Sequence, residues 1–172
     1  MGDQMRSVRS QLSGETWAAR GTAGAAAGLV GGVAMGLVLQ LGTELLPLIG
    51  RLAGSATLVR GWIVHLVTSA LFGLVYAAFV SLPYVRDVAT TVGANVILGV
   101  IHASALSYFT IGVVLPAATI VLGLPESPLS AILVPGPRAG GLVDAGFFGV
   151  GHVLYGMLLG AVYAVLRGYE IE

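Results

Sequence analysis

"GWIVHLVTSALFGLVYAAFVSL", Gly61 to Leu82, contains no Asp, Glu, Lys or Arg. It is as long as the roughly 20 helical residues that cross about 30 Å of hydrocarbon. Its apolar residues run all the way round a helix instead of alternating, so it reads as a transmembrane helix and not a barrel strand. Three more windows share this character: Thr22 to Leu46, Thr91 to Leu115 and Ala145 to Leu166, the last two also free of formal charge. Whole-chain composition agrees. With 56% hydrophobic residues, 9% charged residues and a mean hydropathy of +0.94, the chain lies far from the average soluble domain, about half apolar and a quarter charged. The expected fold is all-α: a polytopic four-helix membrane bundle forming one domain over 22–167, after a polar N-terminal segment 1–21 and before a short tail, 168–172.

Working outward, the opening stretch has a second copy. His65, Gly73, Val75, Tyr76 and Ala77 match His152, Gly160, Val162, Tyr163 and Ala164 at one constant offset. Thr22, Gly24, Ala25, Leu29, Ala34, Leu37, Leu46 and Pro47 match Thr91, Gly93, Ala94, Leu98, Ala103, Leu106, Leu115 and Pro116 at another. The chain therefore reads as two tandem helical hairpins. An even number of spans per unit inserts both the same way, so the repeat is parallel, about an axis along the membrane normal. Pro47 and Pro116 are expected to stop helices. The connection 116–144 carries "LPESPLS" and "VPGPRAGG" and reads as a long outer loop that caps the bundle.

Several classes are excluded. With no cysteine there are no disulfides, thiolate metal sites, iron–sulfur clusters or palmitoyl anchors. Zero net charge implies no attraction to nucleic acid. The first apolar span is too long for a signal peptide and reads as a retained helix. Arg6, Arg9, Arg20, Arg86 and Arg167 flank one side and Arg51, Arg60 and Arg138 the other, which places both termini in the cytoplasm of a multi-pass cell-membrane protein.

The residues able to carry chemistry fall on defined faces. Gly24, Gly28, Gly32 and Gly36 recur every fourth residue, the pattern of a glycine zipper, a seam within the bundle or between protomers. At 100° per residue, Ser69, Gly73 and Tyr76 share the His65 face, and Gly156, Gly160 and Tyr163 share the His152 face. The small residues could join the second and fourth spans directly. Two imidazoles at similar depth on symmetry-related helices could instead ligate a b-type haem or a metal ion, because histidine is the only strong metal ligand within these spans. His102 is a weaker ligand candidate. With Glu44 and Asn95 it could also line a polar path. Tyr76, Tyr163, Trp17 and Trp62 read as interfacial belt residues.

"GWIVHLVTSALFGLVYAAF" and "GHVLYGMLLGAVYAVL" resemble a group of small four-span membrane proteins common in halophilic archaea, with bacterial relatives, whose activity is not established. Such proteins often carry an automatic histidine kinase label. That label fails here, because the glycine-rich nucleotide-binding domain needed for phosphoryl transfer is missing from the sequence. The resemblance supports the hairpin repeat and implies no mechanism. No nucleophile, base and third group can be paired from spacing, so an enzyme is disfavoured. The expected function is a structural or partner-binding membrane subunit, a homo-oligomer or part of a larger membrane assembly, embedded in the lipid bilayer. A bis-histidine haem or metal protein using His65 and His152 is the first alternative, and a small channel or transporter the second.

Overall fold

The computed structural model describes residues 2–123 and 141–171, so the proline-rich part of the 116–144 connection and Arg138 lie outside the described residues. The described chain is helical: α1 (Gly2–Gly42), α2 (Leu45–Gly50), a 3-10 turn (Arg51–Ala53), α3 (Leu58–Phe79), α4 (Pro83–Arg86), α5 (Val92–Phe109), a π turn (Thr110–Val114), α6 (Leu115–Val121) and α7 (Gly141–Leu166). Four stretches are long and apolar enough to cross a membrane: Trp17–Gly42, Leu58–Phe79, Val92–Val121 and Val143–Leu166.

Local hydrogen bonds set ends that hydropathy does not see. Thr43 folds its hydroxyl back onto Leu39 O at 2.7 Å and accepts from Leu45 N at 3.2 Å, which ends α1 and starts α2. Thr57 caps α3, its Oγ1 accepting from Arg60 N at 3.4 Å, so this span begins three residues before Gly61. Thr91 caps α5 in the same way, accepting from Ala94 N at 3.2 Å. The prolines behave otherwise than expected. Pro47 sits in the first turn of α2, where its missing N–H leaves no bond unmade. Pro116 does not end its span: the π turn immediately before it takes up the misfit, and the helix continues to Val121.

Size and polarity are distributed inside out relative to a water-soluble bundle. On α3, Val59, Ile63, Val67, Leu71 and Leu74 face outward, while Gly61, His65, Ser69, Gly73 and Tyr76 are buried. On α5, Ile97 and Ile101 are exposed while Asn95, Gly99 and His102 are buried. An apolar solvent makes this arrangement favourable, since large aliphatic side chains lose nothing by facing it and polar ones must find partners inside.

Helix α1 packs along both α3 and α7, and α7 packs along α5, whereas the backbones of α3 and α5 approach one another sparsely. The close approaches are made where side chains are small. A methyl at Gly24 or Gly28 would meet backbone at Gly73 and Ser69. One at Gly99 would meet Gly156 O, and one at Gly160 would meet Asn95 O. This corrects the expected seam between the second and fourth spans. Ser69 and Gly73 face α1, and Gly156 and Gly160 face α5, because each small pair receives the backbone of the long helix that precedes it in the chain. Gly32 and Gly36 complete the stripe on α1 against Ser69 and Trp62 of the same chain.

Candidate functional site

Sparse packing between α3 and α5 leaves a partly enclosed chamber of about 130 Å³ in the half of the bundle nearest α2. His65 and His152 both line it, with Thr68, Ser69, Thr110 and Tyr155 as the other polar residues. The remaining wall is apolar and includes Met35, Leu39, Phe72, Leu106 and Phe148. At 1.5 Å per residue, His65 lies about 10 Å along α3 and His152 about 16 Å along α7 from their starts on this side. Both are therefore well inside the bundle.

The hydrogen bonds settle what each imidazole offers. His65 Nε2 lies 2.9 Å from Gly32 O, and His152 Nδ1 lies 2.9 Å from Phe148 O. A carbonyl can only accept, so both of these nitrogens carry hydrogen. In a neutral ring the other nitrogen, Nδ1 of His65 and Nε2 of His152, then keeps a lone pair. Neighbouring rings fix the planes: Trp62 meets His65 edge-on at 6.0 Å, and Phe148 packs 4.2 Å from His152. Trp62 in turn donates its Nε1–H to Gln40 Oε1 at 2.7 Å. Tyr155, absent from the expected site, donates to Ser69 O at 2.9 Å and ties α7 to α3 across the bundle.

Thr110 is the second residue that sequence reasoning missed. Its Oγ1 is buried with no hydrogen-bond partner. Thr68 bonds the carbonyl one turn back, Val64 O, at 2.7 Å, as helical threonines can. Thr110 opens the π turn and makes no such bond, so its hydroxyl is buried without a partner while other atoms of the residue line the chamber.

His102 belongs to a different cluster. Its Nε2 donates to Phe72 O at 3.2 Å, and its ring stacks on Phe79 at 5.9 Å and meets Tyr76 at 5.4 Å. Tyr76 is fully buried and donates to Asn95 O at 2.9 Å, with Asn95 Oδ1 at 3.1 Å. Asn95 Nδ2 is spent on Thr91 O at 2.9 Å and Ala89 O at 3.3 Å. Tyr163 packs edge-on against Tyr76 at 5.4 Å and is 1% exposed. Tyr76 and Tyr163 are thus core residues, correcting the belt reading: the small residues beside them on the same faces draw those faces inward. Glu44 is exposed between α1 and α2, at the end of the bundle opposite Asn95. Of the three polar-path candidates, the structure brings Asn95 and His102 together around Tyr76 and leaves Glu44 apart.

Among the described residues, no three His, Asp or Glu side chains gather as a metal site. Two lone pairs whose partner N–H groups are held by carbonyls would nevertheless suit two-point ligation. A haem does not fit as the chamber stands. A cavity of about 150 Å³ accepts one benzene ring, and a tetrapyrrole is several such rings across.

Fold and chamber together define a class: a helical protein with four membrane-length helices, small residues at its seams and an internal chamber bearing two histidines. No family model, no curated protein and no solved structure matches the chain.

Proposed function

We propose that this chain is a multi-pass cell-membrane protein, built as two tandem hairpins with both termini cytoplasmic, that works by binding and not by catalysis. Its ligand site is the chamber between His65 and His152. The observation that carries the reading is that two histidines, one from each proposed hairpin, line a single cavity of about 130 Å³. The hairpin repeat is supported by matching contacts, since Gly73 meets Gly24 and Gly28 while Gly160 and Gly156 meet Asn95 and Gly99. The contact register differs by two residues from the best sequence match of the first and third spans. Membership of the four-span group common in halophilic archaea is part of the same proposal and rests on the stretches around His65 and His152.

Fluorobenzene tests the chamber. Fluorine NMR should show saturable binding to the protein in detergent, beyond partition into empty micelles, and Leu106→Trp should abolish it by filling the space. Identical partition with and without protein would overturn the reading.

Assembly with a partner is the second reading. The glycine stripe of α1 is occupied by α3 of the same chain, so it supports internal packing, and a partner would dock on the larger aliphatic faces. A change in assembled size after substitution of outward Val33 or Leu37, with the fold intact, would favour it.

A further inference from the structure

We infer that the chamber selects a single hydroxylated aromatic ring, a phenol or the head of a hydroquinone. The inference rests on the chamber reading above and adds the ligand's chemistry. Size comes first. About 130 Å³ is close to the cavity volume known to hold benzene, and walls such as Leu39, Phe72 and Leu106 suit a flat apolar body.

Hydrogen-bond bookkeeping then decides the substituent. The N–H of each imidazole is already given to a carbonyl, Gly32 O or Phe148 O. What the two neutral rings have left is acceptor capacity, so a ligand bonding to them must bring hydrogen. A ketone, ether or quinone brings none. A hydroxyl on an aromatic ring brings that hydrogen and keeps the ring flat and apolar. A bare metal ion is served less well. It would find two nitrogen ligands in a mostly apolar space, with no carboxylate among the lining residues.

The test titrates 4-fluorophenol and 4-fluoroanisole, which differ by the donor hydrogen and one methyl, into the full chain in detergent, read by fluorine NMR against empty micelles. The phenol should bind about tenfold more tightly than the ether, the worth of one well-formed buried hydrogen bond. His65→Phe and His152→Phe should each reduce that preference several-fold. Equal binding of the two probes, or a preference that survives both substitutions, overturns the hydroxyl inference and leaves the chamber reading standing. Failure of both probes to bind overturns both. Competition separates the sources. Stronger displacement of the phenol by an alkyl-tailed hydroquinone than by hydroquinone identifies a membrane-borne ligand, the reverse order identifies a free phenol, and no displacement by either counts against the class.

Discussion

Replacing Gly28 by alanine puts a methyl group where two backbones already touch. A Cβ there meets Ser69 O and lies 3.0 Å from Gly73 Cα, against 3.4–4 Å for ordinary contact. Neither neighbour is a flexible side chain, so relief requires α1 and α3 to separate by on the order of 1 Å, the shortfall in contact distance. That movement also loosens the contacts at Gly24 and Gly32 on the same stripe. Overpacking of this kind costs about 1–3 kcal/mol, and alanine's better helix propensity returns up to about 1 kcal/mol. Relative to a control that carries the same propensity gain, the loss is about 1–3 kcal/mol. For a chain of this size each kcal/mol shifts Tm by roughly 2–4 °C, so Tm should lie roughly 2–12 °C below the control's in thermal unfolding followed by circular dichroism in a single detergent. Gly149→Ala is the matched control: it lies in α7 with nothing within 4 Å of its added methyl, and propensity alone should leave Tm unchanged or slightly higher. A Gly28→Ala protein as stable as the Gly149→Ala protein would refute the seam.

Tyr76→Phe removes the hydroxyl that serves Asn95 and should cost about 0.6 kcal/mol, the average for hydrogen bonds between membrane helices, and at most about 1.7 kcal/mol; the same melting experiment reads it. Gly32→Leu collides with Ser69 of its own chain, so light scattering should report a destabilised or misfolded protein and not a folded one of new oligomer number. Adding haemin to the purified protein should give no bis-imidazole Soret band, because the chamber holds one ring; a band lost in His65→Ala would show that the bundle opens to admit a macrocycle. Proton flux into liposomes should be indifferent to Glu44→Gln, since Glu44 is exposed at the bundle end opposite Asn95.

Much of the site was legible as faces and little of it as neighbours. Helical spacing put His65 with Ser69, Gly73 and Tyr76, and His152 with Gly156, Gly160 and Tyr163, and those residues do point into the bundle. Tyr155 is legible by the same rule, three residues after His152 on its inward side. Thr110 was not legible. Its hydroxyl is free because of a π turn ahead of Pro116, and one proline in an apolar run does not say whether a helix stops, kinks or widens. Nor did spacing reveal which helix each small pair would meet, because glycine and serine fit against any backbone that approaches them.

Length, scarcity of charge and all-round apolarity were enough to establish four helices long and apolar enough to cross a membrane, since a helix satisfies its own backbone hydrogen bonds. The tertiary structure alone decided that α1 lies between α3 and α7, that the glycine stripe is used up inside the chain, and that His65 and His152 share one chamber while His102 joins Tyr76 and Asn95. Those outcomes depend on which backbones come closest. That choice is made by shape complementarity between whole helices, a property no single segment carries.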